Sequence, residues 1–307
     1  MRVSVPPLPA TAPPARRSAW RAAGIAVSLL ALAAAAAIGA SPGAAGEDSL
    51  PPAAPPAPPP ESTQAAPGAG PAMVRISAGR ELVPASPHPF GAGESLRFSV
   101  QYGFIHAGTA WLEVPDVTDW NGSPCWRLVA RAESNSFFDK MYRVRNRIES
   151  LWDREGRFSW RYVEDRHEGH YTANDTIIVD TTAHLARYKN GQTSEVPAGA
   201  QDALSAFYFT RFQPLPIGGS LWFDYHASHK STQLEVRVLG RDRVKTPAGR
   251  FDCIMIEPIL KAGGIFKNNG RLVIWITDDA RRMPVMMRSK VMIGSISVVL
   301  QDAKTGA

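Results

Sequence analysis

Cysteine is nearly absent from this 307-residue chain, which holds only Cys125 and Cys253. A disulfide-stapled scaffold and a cysteine-rich zinc module are thereby excluded. Also missing is any acidic residue before Glu47, although Arg2, Arg16, Arg17 and Arg21 all lie in that stretch. Setting these four aside takes the formal charge from +6 to +2 for the remainder. The basic balance therefore belongs to the leader, and it gives no reason to expect nucleic acid as a partner. No Gly-x-Ser-x-Gly turn sits between a predicted strand and a helix, and no glycine-rich phosphate loop with its Lys occurs. Nucleophile-elbow hydrolases and P-loop nucleotide chemistry lose their defining elements.

What is present begins with the leader. Arg16, Arg17 and Arg21 precede an unbroken small and aliphatic run from Ala22 to Ala40, the charge-then-apolar order of an export signal. Small residues at Gly39-Ala40 and Gly43-Ala44-Ala45 suit cleavage, taken as following Ala45. The run nearly reaches the roughly 20 residues that span a bilayer, so an uncleaved N-terminal membrane anchor is the alternative. Residues 1–45 are thus a signal peptide or anchor, and 46–90 a Pro/Ala/Gly-rich disordered linker, densest at Pro51 to Pro71. A single β domain over 91–302 and a tail at 303–307 complete the chain. The expected location is periplasmic or extracytoplasmic, or at the inner membrane if the anchor is retained. There the two cysteines could bridge or remain separate buried thiols, and their spacing leaves both open.

Beyond Gly93 short alternating runs are bounded by Gly, Pro, Asn and Asp, which reads as antiparallel strands and turns. Phe98, Val100, Tyr102 and Phe104 form one apolar face; Val144, Ile148 and Trp152 form another, as do Phe158, Trp160 and Tyr162. Further strands are expected at 221–225, 234–238, 253–259, 272–277, 285–292 and 296–300. The pattern predicts a mostly β fold, a curved antiparallel sheet or half-barrel of about 10–12 strands. One segment breaks it: from Gln201 to Phe212, Leu204, Phe207, Tyr208 and Phe212 stand at helical spacing, with Pro214 and Pro216 beyond. This predicts one short covering helix over 201–212.

Three clusters carry chemistry worth weighing. His167 with His170, flanked by Glu164, Asp165 and Glu168, and His226 with His229, stand three apart. In a strand such positions face opposite ways, so charged hairpin ends are expected and no metal or cofactor is assigned. Arg143, Arg145 and Arg147 would put three cations on one strand face, facing either neighbouring acids or an anionic partner. The aromatic face needs a cover, and a trough lined by Phe104, Trp152, Trp160, Phe207 and Tyr208 could hold an apolar ligand; a packed core is the other reading.

Several separated blocks resemble the DUF3108 family, bacterial exported domains of unknown function. They are Gly93-Glu94, Tyr102 to Gly108, Gln201-Asp202-Ala203-Leu204-Ser205 with Tyr208 and Arg211, Thr246 to Phe251, and Leu272 through Asp279 and Pro284 to Ser295. The resemblance implies an exported, mostly antiparallel β domain and carries no activity. In architecture it is similar to the lipoprotein carriers LolA and LolB, whose open half-barrels hold acyl chains. Asp202 and Arg211, nine positions apart, are each expected to tie the helix to the sheet.

The functional expectation is an exported cell-envelope protein, non-enzymatic, that binds an apolar or amphipathic, lipid-like envelope molecule. The alternative is a structural or protein-interaction module in envelope assembly, working through edge strands and the arginine face. An enzymatic reading lacks converging polar groups. Membrane contact is expected only through the N-terminal segment, if it is retained.

Overall fold

A computed structural model describes the backbone of residues 73–75 and residues 88–260, 271–290 and 295–306. The expected signal run and most of the expected linker lie outside the described residues. Along the chain come β1 (Met73–Arg75), β2 (Glu94–Tyr102), β3 (Ile105–Val114), β4 (Val117–Trp120), β5 (Ser123–Ser134) and helix α1 (Ser136–Tyr142). Then follow β6 (Val144–Asp153), β7 (Ser159–Glu168), β8 (Tyr171–Asp180), β9 (Leu185–Tyr188), β10 (Thr193–Glu195) and helix α2 (Ser205–Arg211). The last six are β11 (Ser220–Ala227), β12 (Lys230–Thr246), β13 (Gly249–Leu260), β14 (Leu272–Thr277), β15 (Pro284–Lys290) and β16 (Ser295–Lys304). Among the described residues, no helix is long and apolar enough to cross a membrane.

All sixteen strands join one sheet in the order β1-β11-β12-β13-β14-β15-β16-β2-β3-β5-β6-β7-β8-β9-β10, with β4 added beside β5. Four of them, β1, β4, β9 and β10, have only three or four residues, too short to show alternation, so the sequence pattern implied fewer. Among the described residues no ladder closes the two ends of the sheet. The free edge of β11 is instead covered by β1 in parallel at Ser220 to Trp222 and by a bridge from Gln201 to Tyr225. Covering an edge in this way blocks its use as a template for further pairing.

Helix α2 is the expected covering helix, set deeper than a one-faced cover requires. All seven of its residues are buried, and they meet strands from several sides. Phe209 sets its ring against Phe223 of β11 at 4.9 Å, while Arg211 reaches Glu94 of β2. Just before the helix, Asp202 takes hydroxyl hydrogen bonds from Ser150 of β6 and Ser159 of β7, both 2.5 Å. The helix therefore fills the curl of the sheet, and the open trough expected from the aromatic pattern is occupied by the chain itself. Asp202 also accepts the backbone N–H groups of Leu204 and Ser205 at 2.7 Å, satisfying donors that the first turn leaves free. Both expected ties, at Asp202 and at Arg211, are present.

A second helix, α1, was not expected. Asn135 caps it, its side-chain oxygen accepting from Phe137 and Phe138. Arg143 closes this helix as its C-cap, so it is not part of the β6 ladder. The domain also starts earlier and ends later than the patterning suggested. Phe90, assigned to the linker, is only 5% exposed and packs on Trp126, Tyr208 and Phe212, while β16 carries Ala303 and Lys304 of the assigned tail.

Candidate functional site

The five residues expected to line one trough are not brought together. Trp152 and Tyr208 are fully buried in the aromatic core, where Trp152 stacks on Trp126 at 5.6 Å and 26°. Such offset stacking adds about 0.5–1.5 kcal/mol to the burial itself. Phe207 lies on another side of α2, against Leu234, Val236, Ile256 and Ile274. Phe104 is fully exposed in the turn between β2 and β3. Trp160 is turned out of the interior by a β-bulge, since Leu151 pairs with Arg161 and Trp152 with Ser159, leaving Trp160 as the extra residue. Its indole N–H binds the Asp153 carboxylate at 2.9 Å.

The arginine face is compensated. Arg145 pairs with Asp139 of α1 at 2.6 Å and Arg147 with Glu149 at 3.0 Å. Arg127, Arg131 and Arg161 interleave with Asp116, Glu113 and Glu149 on the same outer surface. A strand face of three unmatched cations does not exist in the fold.

The expectation that the charged run of β7 is a solvated hairpin end is half right. Asp165 and His167 face outward, but Glu164, Arg166 and Glu168 are buried. Arg166 donates to Glu168 at 2.8 Å, and Asn146 of β6 donates to the same oxygen at 2.8 Å. Burial pushes the Glu164 carboxyl above its ordinary range, and the neighbouring Arg166 only partly opposes that. Glu164, Asp175, Tyr162, Tyr188 and His226 border a small cavity of about 110 Å³ where the two ends of the sheet meet.

His226 makes that meeting. Its Nε2 lies 2.7 Å from the Tyr188 hydroxyl and its Nδ1 2.8 Å from Ser231 Oγ. Ser231 in turn donates to the carbonyl of Glu195. Both ring nitrogens are thus engaged, and His229 stacks on Tyr188 at 3.6 Å. Among the described residues no group of three or more His, Cys, Asp or Glu side chains is placed to hold a metal ion.

The larger cavity, about 480 Å³, opens at the end of the sheet where β2 begins and β16 finishes. Phe90 and Trp126 contribute aromatic surface, and His88, Arg154 and Arg281 bring positive or protonatable groups. Arg154 lies over the Trp126 ring at 5.2 Å, and Arg157 over Phe212 at 4.6 Å. Burial lowers the pKa of Arg157, and its Nε and Nη1 have no hydrogen-bond partner among the described residues. Burial also lowers the pKa of His88, assisted by the charges of Arg154 and Arg157, so the two guanidiniums create a positive field at this end. The acids nearby are committed: Glu94 is paired by Arg211, and Asp279 takes Arg281 at 2.6 Å. An aromatic floor under guanidinium groups suits a ligand with an apolar body and a negative head.

None of these cavity residues was expected from the sequence to line a ligand site. Phe90, an aromatic directly after Pro89 and before Gly91-Ala92-Gly93, is the one signal that was readable there. Arg154 and Arg281 sit in turns whose direction depends on strand pairing.

A family model described as "Protein of unknown function (DUF3108)" matches residues 97–301. No curated protein matches the sequence. In three dimensions the chain is similar to a β-barrel-like protein of the domain of unknown function DUF1849 from Brucella abortus. That pair shares 8% identity with a TM-score of 0.47, covering 69% of this chain and 97% of the other. It is also similar to a protein of YmcC-like fold from Bacteroides fragilis, 13% identical with a TM-score of 0.27, over 71% of this chain and 98% of that one.

Proposed function

The chain belongs to the DUF3108 family, whose function is unknown, and we propose that it is an exported, non-enzymatic binding protein for an amphipathic anion of the cell envelope. The Arg16 to Ala40 leader supports the extracytoplasmic placement. One observation carries the binding reading: the cavity of about 480 Å³ joins the rings of Phe90 and Trp126 to the guanidiniums of Arg154 and Arg281. Its volume falls in the range of small-ligand sites, roughly 300–1,000 Å³. The ligand is held at the end of the curled sheet, because α2 occupies the middle. Its apolar part packs on Trp126 and its anionic head faces Arg154.

Titration of the purified protein with dodecyl phosphate and with dodecyltrimethylammonium, followed by calorimetry, tests this. The phosphate is expected to bind and the ammonium, with the same chain, to bind at least tenfold more weakly. Arg154→Ala is expected to weaken the phosphate complex, while Arg147→Ala, on the outer face, leaves it unchanged. Equal binding of both amphiphiles, or binding indifferent to Arg154, would remove the reading. Organic extraction of the purified protein and mass spectrometry would then identify the natural occupant.

A further inference from the structure

Large apolar side chains are concentrated on the rim opposite the cavity. Phe104 and Ile105, at 106% and 55% exposure, cap the β2–β3 turn, and Phe137 and Met141, at 59% and 43%, project from α1. Tyr171, at 39%, begins β8 beside them. These connections form one continuous edge. Asn135, which caps α1, binds the carbonyls of His106 and Ala107 at 2.7 and 2.9 Å, and the Gly169 N–H binds the Arg143 carbonyl at 2.8 Å. One exposed apolar side chain is ordinary, but Phe104, Ile105, Phe137 and Met141 gathered along one edge mark a surface that meets another apolar phase.

The charge around the tips indicates which phase. Lys140 and Arg143 are exposed on and beside α1, and neither forms an ion pair among the described residues. The acid of the same helix, Asp139, is already neutralised by Arg145 at 2.6 Å. Glu133 is the exposed carboxylate nearest in register, opposite Arg145. Apolar tips from two separate connections, flanked by exposed cations that outnumber the acids beside them, match the chemistry of a bilayer surface bearing anionic headgroups, although Arg143 also feels the Asp139 charge. An exposed strand edge, which a protein partner would extend by pairing, is not what this rim offers.

We propose that this rim docks the domain on an anionic lipid bilayer. Phe104, Ile105, Phe137 and Met141 enter the interfacial zone, and Lys140 and Arg143 meet lipid phosphates. The contact is made by the folded domain and is separate from the N-terminal apolar run. Strand β2 runs nine residues from Glu94, at the cavity, to Tyr102, at the rim. At about 3.3 Å per residue the eight steps put roughly 26 Å between them, so the cavity opens on the aqueous side. Docking and ligand binding are thus tested independently.

The two native cysteines are buried, so a nitrobenzoxadiazole label can be placed selectively on full-length Phe104→Cys, with Phe137→Cys as a second position and Thr182→Cys, on the opposite end, as the control. Vesicles of phosphatidylcholine with 30% phosphatidylglycerol are expected to blue-shift and brighten the label at positions 104 and 137 and leave position 182 unchanged. Brominated acyl chains are expected to quench only the first two. Lys140→Glu and Arg143→Glu, added to the labelled protein, are each expected to cut the position-104 response about fivefold at equal lipid. An unchanged label at 104 and 137, a shift of equal size at 182, or a response indifferent to the charge reversals overturns the proposal.

Discussion

Arg211, at the end of the buried helix, forms a two-pronged ion pair with Glu94 at the start of β2, with N–O distances of 2.7 and 2.8 Å. The same guanidinium donates to the carbonyls of Pro89 and Arg281, both at 3.0 Å. One side chain thereby ties together the entry to the domain, the helix and the β14–β15 turn beside the cavity. Burial alone would lower the pKa of Arg211, but the Glu94 charge outweighs it and the group is held firmly protonated.

Removing one partner of this pair is expected to be severe. Glu94→Gln leaves a buried guanidinium facing a neutral amide, and a loss of about 3–5 kcal/mol is expected from the urea unfolding midpoint. A loss below about 1 kcal/mol would show that water reaches the pair. The double variant Glu94→Leu with Arg211→Met is expected to recover part of the deficit, since no charge is then stranded.

Stability should decline on mild acidification through His226. Burial and the nearby His229 lower its pKa from 6.5 to about 4, so the fold favours the neutral ring that accepts the Tyr188 hydroxyl. An unfolded histidine takes up its proton near 6.5. The contribution is therefore complete above that pH and is lost as pH falls toward 4. Glu164 and Asp202, with carboxyl pKa values raised by burial, act with the opposite sign: their contribution is present at low pH and lost as pH rises through the raised values. Comparing thermal midpoints of the wild type and His226→Gln between pH 7.5 and 4.5 isolates the histidine. The gap between them is expected to shrink as pH falls, and a constant gap would contradict the assignment.

Gly108→Ala is expected to destabilise the β2–β3–β5 region by about 1–3 kcal/mol. A Cβ at this position would lie 2.1 Å from the Glu133 carbonyl oxygen and 2.9 Å from Ser134 Cα, both backbone atoms that cannot swing aside. The site adjoins the β-bulge where Val100 pairs with Gly108 and Gln101 with His106. Calorimetric melting would register the change, and an unaltered midpoint would mean that the strands separate at no cost.

The cysteines are expected to titrate as two free thiols. Both are buried and unbridged, and burial pushes each thiol up to about 12. Cys125 lies on β5 and Cys253 on β13, with β14, β15, β16, β2 and β3 between them in the sheet. Native protein should react slowly with a thiol reagent, and denatured protein should show two thiols with or without reductant. A single thiol pair appearing only after reduction would refute this.

Much of the strand pattern was legible because alternation reports one wet and one dry face, and the first seven residues of β6 and the first six of β16 follow it closely. The pattern misled where inward positions carry charge. Glu164, Arg166 and Glu168 alternate with Asp165 and His167, so β7 looked polar on both faces although three of its charges are buried. It misled again at Trp160, because a bulge reverses facing without any mark in composition. The ends of helix α2 could be anticipated from Asp202 and the following prolines, but its depth could not: helical spacing shows that one face is apolar, and only the surrounding strands decide whether the other is buried as well.

By itself the sequence determined the charge-then-apolar order of the leader, the antiparallel β class, the family and the two side chains that anchor the central helix. These follow from local order: charge before an apolar run, period-two hydrophobicity, and polar residues flanking a helical repeat. The tertiary structure alone decided that the helix fills the curl, that Phe90 and Trp126 meet Arg154 and Arg281 in a cavity, and that Phe104 and Phe137 share the opposite rim. Each of these juxtapositions joins residues far apart in the chain. It is set by strand order and register, which depend on how all the faces pack at once, and no local window contains that information.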